Sequence, residues 1–439
     1  MKTLFTSAHS DLLIKLIQIN TISPMETGLI SEIAKAQELY AAFALETLGC
    51  EIAYYAAPQP EQLDQQGMPL NVTERAAEMG DMFWSSQPNL VLRIGPPRSP
   101  EQTLMFNFHM DTVDGDLPVI WDGQKFMGRG AVDMKGPGVA LLAGIQAAIE
   151  AEPDLFNNYT LLIQCVSGEE GGAMGVYGSK LLAEEGWIGD LNLFAEPSDG
   201  VFFDQSTSAM TARIDVMGQD ATDDAPHMGH NATLLLSYLA ERMFAKVAPA
   251  IEEAGGKMCL SGIHTGHMHN KVYGSGRLLM NFAYPSNECG YLIKELVDSV
   301  IPELIAQFTE QYRNVAFARS TAASASEICT LTWVKQGLPV LNNRHSGYES
   351  LLSSLGWVRN PESHLHQAFT CDAMWAQRSG NYTVVFGPGG LGTHGAHAED
   401  EYISLAELEE YAVRIRDLLL AISKHKTYKS GWDVVQEYV

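Results

Sequence analysis

The stretch "GRGAVDMKG", residues 128–136, carries a single aspartate, Asp133, between glycines at 128, 130 and 136, just ahead of the apolar run "GVALLAGIQAAIEA". An acid in that place is ordinarily a helix cap, because its side chain can accept from the free N–H groups of a first turn. The other reading is a metal ligand. That reading requires further ligand-type residues at positions able to converge on Asp133.

Upstream, "NLVLRIG" and "TLMFNFHMD" are short apolar strand candidates, and "PPRSPEQ" between them turns the chain. Downstream, the run after Asp133 reads as a helix buried on most sides. "YTLLIQCVSGEEGG" reads as a strand entering an acidic, glycine-rich turn, and "LNLFAEPSDG" repeats that design. Nearer the start, residues 10–20 and about 30–48 have helical apolar spacing and "CEIAYYAA" reads as a strand. The polar residues 58–88, with several Pro and Met, read as a long loop or insert. Such alternation of strand and helix predicts an α/β sheet with parallel strands. Ligands of such sheets gather at the carboxyl ends of the strands. His109 and Asp111 follow "LMFNF", Glu169 and Glu170 follow "LLIQCVS", and Glu196 follows "LNLFA".

Near residue 206 the texture changes. "SAMTARIDVMG" is an alternating strand, "NATLLLSYLAERMFAKV" an amphipathic helix, "GRLLMNFAYPS" a strand, "GYLIKELVDSVIPELIAQF" a helix and "EICTLTWVK" a strand. This describes a small α+β domain inserted into the first. The chain then returns with a helix near 346–355, the strand "NYTVVFGPG", the loop "GLGTHGAHAEDEY" and a terminal helix. The predicted fold is therefore α/β, with a mixed sheet flanked by helices built from residues 1–205 and 337–439. Residues 206–336 form the smaller inserted domain. No internal repeat or low-complexity tract interrupts this plan.

Each acidic or histidine motif is weak alone. "FHMDTV" places His109 and Asp111 two apart, on the same side of a strand. "SGEEGG" carries Glu169 and Glu170 after an apolar strand, and a metal site with a general base needs two such groups, one carboxylate on the metal and one free to take a proton. "FAEPSDG" adds Glu196, and "GTHGAHAEDEY" adds His394 and His397 in a glycine-rich loop. In order they read H-x-D, D, E-E, E, H, each in the same local setting. The stretches "HMDTV", "GRGAVDMKG", "SGEEGG", "AEPS" and "GPG" through "AHAEDEY" span residues 109–402. Together they resemble the co-catalytic zinc deacylases and peptidases. That family includes acetylornithine deacetylase, succinyl-diaminopimelate desuccinylase, aminoacylase and glutamate carboxypeptidase.

The resemblance implies roles. Asp133 is similar to an aspartate bridging two zinc ions, with cobalt or manganese as substitutes. His109 and Glu196 would complete one zinc, and Glu170 and His397 the other. Glu169 would be the general base, and Asp111 the support of His109, through the backbone. The implied reaction is hydrolysis of a small amide, an N-acyl amino acid or short peptide-like compound. The inserted domain would act as lid and homodimer interface. Asn270, in "TGHMHNKVYG", matches a family asparagine facing the site.

Two departures stand against that pattern. The family's inserted domain carries a histidine, implied to reach across a dimer and donate to the tetrahedral oxyanion, in a motif like G-x-x-x-H-S-S-x-P-x-x-G-x-N-A. Here "GQDATDDAPHMGHNA" keeps Pro226, Gly229, Asn231 and Ala232 but has Thr222 at the histidine position, followed by Asp223 and Asp224. The family also has an arginine a few residues before the proline of "NFAYPS", which by the resemblance helps hold a substrate carboxylate, and this chain has none there. Three accounts compete. One of His227, His230, His264, His267 or His269 replaces the donor. Or the substrate lacks the usual α-carboxylate, or Thr222 is the oxyanion donor. Or the metals serve an altered reaction, such as a biosynthetic amide-forming or cyclising acyl transfer. His394 is a substrate-contact or loop residue, Asp372 a cleft residue or helix N-cap, Trp121 and Trp375 core or pocket residues, and Cys165 core.

The bulk composition limits partners. The chain has 439 residues, 28 basic and 53 acidic, for a net charge of −25. Such a surface repels nucleic acid and anionic membranes. The first twenty residues are broken by Ser, His and Asp and read as an amphipathic helix, not a secretory signal. Six cysteines form no CxxC pair, which suits a reducing cytoplasm.

Overall fold

A computed structural model describes residues 3–64, 67–361, 364 and 368–432. The chain divides into two compact units, Met1–Gln205 with Leu341–Val439, and Ser206–Val340. The return crossing lies at 340/341, not at the expected 336/337. The segment after the last strand of the insert is still tied to it: Tyr284 Oη donates to Leu338 O at 2.6 Å and Val340 N donates to Asn287 Oδ1 at 2.8 Å.

The larger unit is built on a six-stranded mixed sheet. Its strands are β1 (Glu51–Ala56), β2 (Asn89–Ile94), β3 (Thr103–His109), β4 (Thr160–Val166), β5 (Leu191–Pro197) and β6 (Tyr382–Gly387), in the order β1-β2-β4-β3-β5-β6. The run β4-β3-β5-β6 is parallel; β2 is antiparallel to both β1 and β4. The parallel expectation holds for the part of the sheet that carries the candidate residues. β3, β4, β5 and β6 are buried at every position, which explains why they read as unbroken apolar runs.

Helices pack over this sheet around one large core that includes Leu104, Phe106, Val139, Leu142, Leu193 and Ile415. The helix Gly136–Ala151 lies against the terminal helix Leu405–Trp432 at close range. A Cβ on Gly144 would stand 2.6 Å from the Ala412 carbonyl oxygen and 2.7 Å from Ile415 Cβ, so glycine sets that approach. Residues 58–88 are not a simple loop. They hold the helices Leu70–Met79 and Asp81–Ser85, whose Val72 and Phe83 join Met25, Ala173, Val176 and Tyr177 in a separate apolar cluster. Only a few of their positions are buried, so their mean polarity hid the pattern.

The smaller unit is a four-stranded antiparallel sheet in the order Lys257–His264, Ser275–Tyr284, Ser208–Met217, Cys329–Lys335. Ser208–Met217 alternates buried and half-buried positions, as a strand with one covered face should. Helices Ala232–Glu253, Asn287–Tyr312 and Arg319–Ile328 supply the apolar cover, through residues such as Leu235, Leu239, Ile293 and Leu304.

The first helix, Ser7–Gln18, begins with a buried histidine used as a cap. Thr6 N donates to His9 Nδ1 at 3.1 Å, and the ring lies against Phe5 and Phe43. Burial lowers the His9 pKa from 6.5 to about 4, against the pull of Glu409. A proton on Nδ1 would remove the acceptor. The unfolded chain therefore binds this proton first as pH falls. Stability from His9 is complete above about pH 6.5 and is lost progressively toward pH 4, by about 2–3 kcal/mol. Urea midpoints measured at pH 7 and pH 4.5 should diverge less in His9→Gln than in the natural chain; an equal divergence would remove His9 as a cause.

Candidate metal centre

Parallel strands bring their carboxyl ends to one edge of a sheet, and the candidate residues follow from that fact. His109 is the last residue of β3, Glu169 and Glu170 lie in the turn after β4, Glu196 is near the end of β5, and His397 lies in the loop after β6. Asp133 comes from the irregular turn Ala131–Lys135 ahead of the helix Gly136–Ala151. It is not the helix cap, because that place belongs to Lys135. The Asp133–Met134 peptide is cis.

The Asp133 carboxylate is buried and divided between two histidines. His109 Nε2 lies 3.0 Å from Oδ1, and His397 Nε2 lies 3.1 Å from Oδ2. Around these two contacts the other acids fall into two groups. Glu196 Oε1 is 3.8 Å from His109 Nε2, and Glu170 Oε1 is 3.3 Å from His397 Nε2. The triads His109–Asp133–Glu196 and Asp133–Glu170–His397 each have ligand atoms within 4.8 Å of one another. Glu169 is absent from these two triads, which share Asp133, but forms a third such group with His109 and Glu170. All seven acidic and histidine positions singled out in these motifs, Asp111 among them, therefore lie together, and only His394 stands apart.

The acids press on one another. Burial and the neighbouring Glu196 and Glu170 push Glu169 well above the carboxylate range. Burial likewise raises Glu196, with His109 opposing, and takes Glu170 up to about 7, with His397 opposing. Asp133 goes the other way. Burial would raise it, but the two imidazoles hold it well below the ordinary range. His397 rises to about 10 through Asp133 and Glu170; His109 rises despite its burial, through Asp133 and Glu196. Such a cluster requires compensating positive charge. Protons on the imidazoles supply some of it, and divalent ions held by these nitrogens and carboxylates would supply more. The donor set fits two such ions.

Asp111 supports this arrangement in two ways. Its backbone oxygen accepts from His109 Nδ1 at 2.8 Å, which turns Nε2 toward Asp133. Its fully buried carboxylate accepts from Glu170 N at 3.1 Å and Glu169 N at 3.5 Å, so one residue orients both β3's histidine and β4's acidic turn.

Other candidates fall elsewhere. His394 is committed to its own loop: Gly390 N donates to Nδ1 at 3.0 Å, and Nε2 lies 2.8 Å from Glu407 Oε1. Asp372 does not cap its short helix, since Cys371 holds that position. It accepts from Ser179 Oγ and lies with Cys371 beside Glu196. Trp375 braces the acidic turn by donating to Met174 O at 2.7 Å, Trp121 stacks on Phe126 at 4.0 Å, and Cys165 is core. Thr222 and Asn270 belong to the smaller unit and are exposed there, with Thr222 opposite Lys271 in a short ladder. Of the five histidines in that unit, His230 accepts from Gln219 N at 2.8 Å and the others are exposed. The arginine nearest the family's position, Arg277, is at the far end of its strand, 3.8 Å from Asp215. The motif reading passed over Arg129 and Glu401. Both lie inside quoted stretches, but nothing in "AHAEDEY" separates Glu401 from its acidic neighbours Glu399 and Asp400.

Comparison with known proteins gives the fold and the family. A probable succinyl-diaminopimelate desuccinylase of Staphylococcus epidermidis is 32% identical over 164 residues, 34% of this chain and 38% of that protein. The chain thus aligns with well under half the length of that relative. An N-formyl-4-amino-5-aminomethyl-2-methylpyrimidine deformylase of Bacillus subtilis is 22% identical over 418 residues, 85% of this chain and 93% of that protein. A tripeptidase structure from Staphylococcus aureus superimposes with a TM-score of 0.63 at 16% identity, over 95% of this chain and 98% of the other, and shows the same fold. With residues 105–421 matching its family model, the chain belongs to peptidase family M20/M25/M40.

Proposed function

We propose that this chain is a dinuclear metal-dependent amidohydrolase, with zinc as the resident metal and Glu169 as general base. The observation that carries the proposal is the division of Asp133 between His109 and His397 at nearly equal distances, with one further acid beside each histidine. A carboxylate placed so is suited to bridge two ions, and mixed nitrogen and oxygen donors suit zinc. Two bound dications would supply Lewis acidity toward the scissile carbonyl and a water acidified toward neutrality. The chain's own residues do the rest. Glu169, outside both triads, takes a proton from the attacking water and passes it to the leaving amine. Its burial and its acidic neighbours raise its proton affinity, which suits a group that must hold a proton between two steps. Asp111 keeps the Glu169 backbone fixed while that proton moves.

For the substrate we propose an N-acyl or N-formyl amine without an α-carboxylate. Two features favour it over an N-acyl amino acid. The inserted unit offers Thr222 where the family has a histidine, and its strand Ser275–Tyr284 has no arginine near its carboxyl end. The pyrimidine deformylase of Bacillus subtilis, which aligns with most of this chain, is named for a formamide with no carboxylate in its name. The unit 206–340 is proposed as lid and homodimer interface, with the edge strand Lys257–His264 free for pairing within the unit's own sheet. Among the described residues no helix is long and apolar enough to cross a membrane. A cytoplasmic site of action remains a proposal that rests on the thiols and the charge.

Three measurements test this reading. Elemental analysis of the purified protein should give two zinc equivalents, falling to one or none in Asp133→Ala; two retained equivalents would remove Asp133 as the bridge. Glu169→Gln should keep both equivalents and lose turnover by roughly 10²–10⁴-fold. Undiminished turnover would displace Glu169 as the base. In a panel of amides, amine release should be faster, by kcat/KM, from N-formyl and N-acyl amines than from N-acyl amino acids. The reverse order would refute the substrate class, and two equivalents with no turnover of any amide would favour an altered acyl-transfer reaction.

A further inference from the structure

One buried ion pair lies between the two segments that carry Asp133 and His397. Glu401 and Arg129 are both buried, and Arg129 Nη1 donates to Glu401 Oε2 at 2.7 Å. Each partner then reaches one ligand-bearing segment. Glu401 Oε1 accepts from Val132 N at 3.1 Å and from Asp133 N at 3.3 Å. Arg129 Nη2 donates to the carbonyl oxygen of Ala398, the residue after His397, at 3.1 Å. A backbone bond from Gly128 N to Glu401 O at 3.1 Å closes the same junction. The two segments are otherwise far apart in sequence.

His397 is the ligand candidate most in need of such support. Its side chain is half exposed, whereas His109 and Asp133 are buried. Its backbone has φ of 65°, in the left-handed region that a residue with a Cβ rarely adopts. Burying a charged pair is costly unless both charges and their remaining hydrogen-bonding capacity are met. Here three backbone groups meet Glu401 Oε1 and Arg129 Nη2, while Arg129 Nε is buried with no partner among the described residues, and those groups belong to the turn of Asp133 and the loop of His397.

We infer that Arg129 and Glu401 are positioning residues that set the two ligand segments against each other. Arg129 governs the metal position of Asp133, Glu170 and His397 alone, and Glu401 governs both positions through Asp133. The inference rests on the dinuclear reading above. Arg129→Lys keeps a charge for Glu401 but loses the second arm to Ala398. Stepwise cobalt titration of metal-free full-length protein, against a competing chelator, separates the two equivalents. In Arg129→Lys one equivalent should weaken at least about tenfold, as expected for the loss of a group that orients a ligand. The other should stay within about twofold of the natural chain. The remaining titration should match that of His397→Ala and differ from that of His109→Ala. Unchanged affinities, or an equal loss at both positions, would overturn the inference. If Arg129→Lys does not fold by circular dichroism, Glu401→Asp serves. Its shorter carboxylate keeps Arg129 but withdraws from the two N–H groups, and both equivalents should weaken. Natural affinities in that variant would likewise overturn the inference. A natural chain that takes up no cobalt would instead count against the metal centre itself.

Discussion

Asp133, Glu169, Glu170 and Glu196 converge at one edge of a sheet, inside a protein interior that penalises each of their charges. The arrangement is eased by positive charge built against it, two imidazoles on Asp133 and donor atoms that could hold divalent ions, and by the raised proton affinity of the glutamates. Much of the remaining local structure can be understood as support for that concentration of charge. Asp111 spends its carboxylate on the N–H groups of the acidic turn, and Asn107 ties β3 to β4 and to Ser179 through Gln164 Oε1 at 2.8 Å and Ser179 Oγ at 3.0 Å. Ser179 in turn donates to Asp372, which stands beside Glu196. These polar groups are buried and paired, as the interior demands.

The acidic turn is also held from outside the sheet. Asn71, on the helix Leu70–Met79, donates to Gly171 O at 3.1 Å, and Trp375 donates to Met174 O at 2.7 Å. Gly171 permits a further close approach. Its φ is +65°, and a Cβ there would stand 2.3 Å from Met25 Cβ. The segment 58–88 thus packs an apolar cluster of its own against the turn that carries Glu169 and Glu170. The turn lies beyond the end of its own strand, so neighbouring elements fix it.

The larger unit has an acid or a histidine at each position where the motif pattern placed a candidate metal ligand. The smaller unit departs from the family pattern at Thr222 and before Pro285, the positions on which the proposed substrate class rests. Loss of a charged partner from a site that desolvates its ligand alters which substrates bind far more than it alters the reaction type. This is why the departures at Thr222 and before Pro285 bear on substrate class and leave the proposed hydrolytic core intact.

The sequence by itself determined the list of candidate ligands. A parallel sheet places its strand ends together, so an H-x-D, an E-E and an E that each follow an apolar run must meet, and the motif order identified the family. It also located β3, β4, β5 and β6, because strands covered on both faces leave unbroken apolar runs. It did not reveal the helices within 58–88, which bury too few residues to mark a period, nor the crossing at 340/341, which two hydrogen bonds decide. His394 and His397 lie three residues apart in one loop, and it was the family resemblance, not the loop's own composition, that set His397 apart as the candidate ligand. The tertiary structure sends one to Glu407 and the other to Asp133. The same holds for Glu401 and Arg129. A buried charge is recognisable only by what surrounds it, and those surroundings come from a segment nearly three hundred residues away, at a distance set by the fold alone.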